Sequence, residues 1–338
     1  MEGNSITIME TIGLINIFSK RSGGNIYKNQ VINTLSGTFD VEYVNLEANY
    51  FKNRYLKSLE SFIKLLFFRG KKDLWIRDFY STITLNKKNT RGKNLTLIFH
   101  IDFSGFRLIP RLLLPLLEKT FFYIQVKRAD ATVVISEYWK NYFLEKGYKN
   151  VCKIYCGFSM NNFNITAEEV SEFKKKYKLE GKPIVYLGNC QKPKGVVDAY
   201  EALKDLDVYL VTSGRKEVEV PTLNLDLDYK NYLILLKASS VVVTMSKFKE
   251  GWSMTTHEAM LLKVPTIGSG MGGMRELLEN GGQIICTDFK ELKQKVEYLL
   301  NNSEERKKIG QIGYNYAKDF TIERFNQEWL DLINNVLR

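Results

Sequence analysis

The sequence predicts an α/β chain of two Rossmann-like, doubly wound domains facing each other across a cleft, and three observations carry that prediction. Short apolar runs alternate with longer helical segments, the pattern of parallel strands joined by crossover helices. The alternation stops in a polar stretch and then starts again. At 338 residues the chain also exceeds what one hydrophobic core ordinarily serves, so two domains are expected.

Taken in order, the first half is expected to hold strands at residues 6–9, 41–45, 74–77, 95–100 and 132–136. The second half repeats the rhythm at 184–188, 208–212, 241–244, 266–268 and 283–286, with helices at 196–203 and 229–238 among the crossovers. Residues 161–182 are polar and charged and end in Gly181-Lys182-Pro183, a helix followed by a breaker. The expected division is therefore a first domain over 1–163, a hinge over 164–182 and a second domain over 183–320. The last segment, 321–338, sets Phe325, Trp329, Leu330, Ile333 and Leu337 at helical spacing and is expected to pack back across the domain junction.

With 44% apolar residues and 26% charged, the composition excludes a disordered, fibrous or disulfide-scaffold protein. The formal charge of +11 is uneven: residues 1–165 hold 24 basic and 13 acidic groups, whereas 166–338 hold 25 of each. Such an excess suits a nucleic acid, an anionic membrane or an acidic substrate. Between residues 51 and 93, 12 basic and 3 acidic residues interleave with Tyr55, Leu56, Leu59, Phe62, Ile63, Leu65, Leu66, Phe67 and Phe68. That texture fits a lipid interface better than a duplex groove; a domain helix with a solvated basic face is the other reading. A second apolar stretch, 106–126, is broken by Arg107, Pro110, Arg111, Pro115, Glu118 and Lys119, so no spanning helix is expected.

The first sixteen residues lack a basic leader region, so no signal peptide is expected. Cys152, Cys156, Cys190 and Cys286 have neither pairing nor metal-ligand spacing. The expected setting is the cytoplasm, peripheral to the inner face of a membrane. No metal and no nucleic-acid partner are expected.

In doubly wound sheets, ligands bind at the carboxyl ends of the strands. The segment Glu250-Gly251-Trp252-Ser253-Met254-Thr255-Thr256-His257-Glu258 follows a strand and opens a helix. The backbone N–H groups from Gly251 to Met254 would lie unpaired at that helix's N-terminus, where the dipole favours an anion such as a diphosphate. Glu258, two turns past Glu250, can accept hydrogen bonds from vicinal sugar hydroxyls. His257 is expected to pack beside it. Asp205-Leu206-Asp207 and Asp226-Leu227-Asp228 read as a turn and a helix cap, not as a metal motif.

With Ala259-Met260 and Val264-Pro265-Thr266-Ile267 following it, this segment resembles the signature of the family-4 retaining glycosyltransferases of GT-B fold, in which seven residues separate two glutamates. The likeness runs over residues 74–320. Arg128-Ala129-Asp130 looks like the end of the first domain. Val185-Tyr186-Leu187-Gly188 followed by Lys194-Gly195 looks like the opening of the donor domain, and Ser22-Gly23-Gly24 resembles the N-terminal glycine loop. Gly272-Gly273 resembles the later Gly-Gly element.

The resemblance implies a retaining, metal-independent transferase without a cofactor, using a nucleotide-diphosphate sugar and a saccharide or lipid-linked acceptor. It implies that His100, Lys194 and Glu250 are catalytic. It assigns donor binding to Gly23, Gly24, Gly188, Asn189, Lys194, Gly251, Trp252, Ser253, Met254 and Glu258. Asn189 stands where the family often has Arg, which implies either Lys192 or Arg215 as a replacement cation or a more weakly held donor, and Ser253 stands where it has Gly. The alternatives are a sugar phosphorylase or nucleotide-sugar epimerase of the same fold, and a non-catalytic membrane-binding member.

Overall fold

The computed structural model describes residues 9–16, 23–101 and 123–338. The chain divides into two compact units, one of Met1–Ile135, Lys140–Gly157 and Glu323–Arg338, the other of Ser136–Trp139 and Phe158–Ile322.

The first unit contains β1 (Thr11–Asn16), α1 (Gly23–Leu35), β2 (Asp40–Asn45), α2 (Arg54–Phe67), β3 (Gly70–Arg77), α3 (Phe79–Ile83) and β4 (Thr90–Ile98). After these come α4 (Tyr123–Arg128), β5 (Ala131–Val134), α5 (Glu137–Glu145), which belongs to this unit from Lys140 onward, and β6 (Val151–Lys153). The strands make one parallel sheet in the order β2-β1-β3-β4-β5-β6. The chain reverses its direction of travel across the sheet between β1 and β3, so the switch point lies at Asn16 and Arg77.

The first strand is Thr11–Asn16 rather than the expected 6–9; residues 6–8 lie outside the described residues, and Met9 is irregular and half exposed. Gly13 interrupts the apolar run and hides the strand from the sequence pattern. The fold requires it, because a Cβ there would stand 2.3 Å from the Trp75 ring of β3.

The second unit holds α6 (Ala167–Lys176), β7 (Ile184–Asn189), α7 (Val196–Leu203), β8 (Tyr209–Ser213), β9 (Leu223–Leu225), α8 (Tyr229–Ala238) and β10 (Val241–Thr244). These are followed by α9 (Met254–Leu261), β11 (Thr266–Gly268), α10 (Gly273–Asn280), β12 (Ile284–Ile285), α11 (Phe289–Asn301) and α12 (Ser303–Ala317). Its parallel sheet runs β12-β11-β10-β7-β8-β9. Val185, Leu187, Val241 and Val243 face one helical layer and Tyr186 and Val242 the other, which is why these strands read as continuous apolar runs. The edge strands β6 and β9, three residues each, are too short to register as a pattern.

Residues 164–182, read from sequence as a hinge, contain α6. A capping box between Thr166 and Glu169 opens this helix, and Phe173 and Leu179 lie in the second unit's core. The last helix, α13 (Ile322–Leu337), buries Phe325, Trp329 and Ile333. Trp329 Nε1 donates to Tyr27 Oη at 3.2 Å, and Tyr27 on α1 in turn donates to the Ile154 carbonyl at 2.9 Å.

Candidate functional site

In the second sheet the strand order reverses between β7 and β10, and the two loops leaving their carboxyl ends carry the predicted residues. The loop after β7 passes from Gly188 and Asn189 to a single 3-10 turn, Lys192–Lys194. The loop after β10 carries Ser246 and Glu250 and leads into α9. Its register is fixed by backbone bonds, from Glu250 N to the Met271 carbonyl at 3.0 Å and from Gly273 N to the Glu250 carbonyl at 2.9 Å.

The crossover brings Lys194 and Glu250 together although 56 residues separate them: Lys194 Nζ lies 2.6 Å from Glu250 Oε1. The Ser246 hydroxyl donates to the same oxygen. Glu250 is 7% exposed, while the Lys194 side chain keeps 29% of its surface in solvent. The pair thus joins a partly exposed lysine to a buried carboxylate, and the Lys194 ammonium also lies over the Phe248 ring at 5.0 Å from its centroid.

Helix α9 follows Ser253, whose backbone is left-handed at φ 72°, and whose side chain makes no cap to the helix. The Ser253 hydroxyl meets the Thr256 hydroxyl at 2.9 Å instead. Glu258, 3% exposed, accepts from Tyr229 Oη at 3.1 Å and from Tyr232 Oη at 3.0 Å, one on each carboxylate oxygen. Burial, together with the neighbouring Glu258 charge, pushes the Tyr232 hydroxyl well above its ordinary pKa and keeps it a donor.

Sequence reasoning missed Ser246, Tyr229 and Tyr232. Tyr229 and Tyr232 stand three apart on α8 and so share one face, which was the available signal; Ser246 gave none.

Trp252 turns inward. It is 1% exposed, and its Nε1 donates to His257 Nδ1 at 3.0 Å, so only its backbone can serve a ligand. His257 Nε2 lies 3.0 Å from the Ala317 carbonyl, which fixes the neutral tautomer with the proton on Nε2, and its ring stacks on Phe158 at 4.1 Å. Burial lowers its pKa from 6.5 to about 3. His257 therefore contributes stability that is complete above about pH 6.5 and is lost as pH falls toward 3. The loss is about 1.4 kcal/mol per pH unit over that window. Urea midpoints between about pH 7.5 and 4.5 are expected to fall accordingly in the parent and to flatten in His257→Gln. Equal slopes in the two proteins would place the acid sensitivity elsewhere.

Asn189 closes β7 opposite Ser213, and its Oδ1 accepts from the Ser213 hydroxyl at 3.2 Å. Arg215, two residues beyond β8, leaves the same sheet edge and is exposed, as is Lys192. Asp228 accepts from Asn231 N at 2.8 Å and caps α8, while Asp207 pairs with Lys182 on the surface. Among the described residues no group of three His, Cys, Asp or Glu could hold a metal ion.

In the first unit Gly23 and Gly24 open α1 just past the carboxyl end of β1, and His100 follows β4. Gly24 packs on the Phe99 ring, where a Cβ would come within 3.1 Å, so these residues share the carboxyl edge of their own sheet.

Residues 168–316 match the family model described as glycosyl transferases group 1. The chain is 25% identical over 220 residues to an uncharacterized glycosyltransferase of Methanocaldococcus jannaschii, covering 60% of this chain and 59% of that protein. It is 27% identical over 172 residues to a Campylobacter jejuni α-1,4-N-acetyl-D-galactosaminyltransferase named for a GalNAc-containing, undecaprenol-diphosphate-linked glycan. That match covers 45% of this chain and 48% of that protein. The chain thus spans 59% or less of these relatives' length. Anabaena HepE, solved in complex with UDP-glucose, matches with a TM-score of 0.74 at 16% identity, over 96% of this chain and 100% of that chain. Both sheets, with their flanking helices, have the GT-B fold.

Proposed function

We propose, from the match of residues 168–316 to the family model for glycosyl transferases group 1, that the chain moves a sugar from a nucleotide-diphosphate sugar to an acceptor hydroxyl. The observation that carries this reading is the Lys194–Glu250 pair at the switch point, with Glu258 held by two tyrosines on the adjoining helix. Lys194 is assigned to the diphosphate, Glu250 to the donor sugar and Glu258 to the ribose hydroxyls. The backbone of Gly251–Met254 at the start of α9 is assigned to phosphate oxygens, with Gly188 and Asn189 beside it. Gly23, Gly24 and His100 are assigned to sugar and acceptor at the first unit's own sheet edge.

In the proposed step the bond between the anomeric carbon and the β-phosphate oxygen breaks, and the acceptor oxygen bonds to that carbon on the same face, with retention. The acceptor's proton passes to the departing diphosphate, so the products are a glycoside and a nucleoside diphosphate. The fixed ammonium of Lys194 stabilises the charge that develops on the leaving oxygen, and neither metal nor cofactor is assigned a role. The acceptor is assigned to the saccharide or lipid-linked class, at the cytoplasmic face of a membrane. The basic first half and the Campylobacter relative's undecaprenol-linked glycan support that class.

A panel of UDP-, GDP- and ADP-sugars tests the reading by thermal shift, followed by release of nucleoside diphosphate when an acceptor is added. At about 100 times its Kd, one donor is expected to stabilise the protein by about 2.7 kcal/mol. A panel that leaves the melting temperature unchanged, beside phosphorolysis of a disaccharide by inorganic phosphate, would replace transfer with the phosphorylase reading.

A further inference from the structure

Helix α2 is turned the wrong way for a helix whose stability comes from a domain core. Its buried anchor is Leu65, which packs with Ile15 and Trp75. Leu56, Leu59, Phe62, Ile63, Leu66 and Phe67 are exposed, Phe67 at 70%. At 100° per residue these six fall within one arc of about 140°, on the side away from Leu65. An arc of that kind, contiguous and solvent-facing, marks an interaction surface, whereas singly scattered exposed apolar residues do not.

The loop before the helix extends the surface. Glu60 accepts from the backbone N–H groups of Asn49 at 2.8 Å and Tyr50 at 3.1 Å, and pairs with Lys64 at 2.8 Å. These bonds hold Tyr50, 84% exposed, and the exposed Phe51 beside the second turn of α2. Lys64 also lies over the Tyr50 ring, at 5.5 Å from its centroid.

Charge selects the occupant. Residues 49–72 contain seven basic residues and one acid, Glu60, whose carboxylate is already engaged by Lys64 and the loop backbone. Lys57 on α2 and Lys52, Arg69 and Lys71 in the segments that flank it are exposed. A protein partner or a second copy of this basic unit would have to neutralise those cations. An anionic bilayer neutralises them without a specific match, and takes up the apolar face in the same contact.

We propose that α2 and the Tyr50-Phe51 loop form an interfacial element that lies in the headgroup region of an anionic lipid bilayer. Its role in bringing the enzyme to an acceptor rests on the transferase reading; its binding does not. As a crossover between parallel strands, α2 runs from the carboxyl edge of its sheet, so Tyr50 and Phe51 lie at the same edge as Gly23, Gly24 and His100.

The test uses the full chain and sedimentation with vesicles of phosphatidylglycerol and phosphatidylcholine, or of phosphatidylcholine alone. Binding to the anionic vesicles is expected, weakened but not abolished when salt rises from about 0.1 M to about 0.5 M, because the apolar part of the contact is not screened. Leu59→Glu/Ile63→Glu is expected to weaken it at least about tenfold. Both positions are solvent-facing, so the melting temperature and the shift given by a nucleotide sugar should stay unchanged. In Phe67→Trp, tryptophan emission is expected to shift to the blue on adding anionic vesicles. Vesicle binding equal in the parent and the double variant would overturn the proposal, as would a dimer in sedimentation velocity that the double variant dissolves while neither protein binds vesicles. Vesicle binding by a chain that binds no nucleotide sugar would instead remove the transferase reading and leave this one standing.

Discussion

Lys194→Ala is expected to lower kcat for glycosyl transfer by about 10²–10³-fold, the usual loss on removing a fixed donor from the position where transition-state charge develops. The loss belongs mainly to kcat because the charge on the departing diphosphate is greater in the transition state than in the bound donor. Truncation also leaves the Glu250 carboxylate, 7% exposed, with Ser246 in place of its cation. Lys194→Arg keeps a charge but not the single-point geometry and is expected to recover only part of the rate. Glu258→Ala acts differently. It removes the acceptor for ligand hydroxyls and frees Tyr229 and Tyr232, so donor KM should rise by about 10–100-fold, the worth of hydrogen bonds to a charged group. A Lys194→Ala enzyme with full kcat would remove the proposed site, and the KM-against-kcat division between the two variants tests their separate roles.

Gly195→Ala is expected to destabilise the second unit by about 3–5 kcal/mol, among the larger effects a single methyl group can have. Gly195 follows Lys194 and sits left-handed at φ 73° at the head of α7, where a non-glycine residue costs about 1–2 kcal/mol. The remainder is steric: the added Cβ would stand 2.2 Å from the Met245 carbonyl oxygen and 3.1 Å from the Phe289 ring. Met245 follows β10 directly and is buried, so that carbonyl has little room to retreat. Gly181→Ala supplies the internal control, because Gly181 is also left-handed at φ 85° but has nothing within 4 Å of the new methyl group. Its cost should be the strain alone, about 1–2 kcal/mol. Urea melts of the two variants separate strain from clash, and equal losses would show that the Met245 contact yields.

Much of the second unit was legible because its strands, buried on both faces, leave an unbroken apolar run with a polar crossover between one and the next. The first unit was harder to read. Gly13 masked β1 because the residue needed there had to be small enough for Trp75, and three-residue edge strands carry no period. Within the site, the spacing from Glu250 to Glu258 needed only a loop and the helical repeat. The pairing of Lys194 with Glu250 needed the sheet to reverse between β7 and β10.

By itself, the sequence determined the doubly wound rhythm, the loop-then-helix setting of the two glutamates and the basic bias of the first half, because each depends on neighbours along the chain. Only the tertiary structure decided that Ser246 and Lys194 share one oxygen of Glu250, that two tyrosines occupy Glu258, and that Trp252 faces the core with His257 neutral against it. It also decided which way α2 faces. The sequence fixes that the apolar residues of a helix lie on one side, but whether that side meets the core or the solvent depends on where Leu65 finds Ile15 and Trp75, and those partners come from other strands of the sheet.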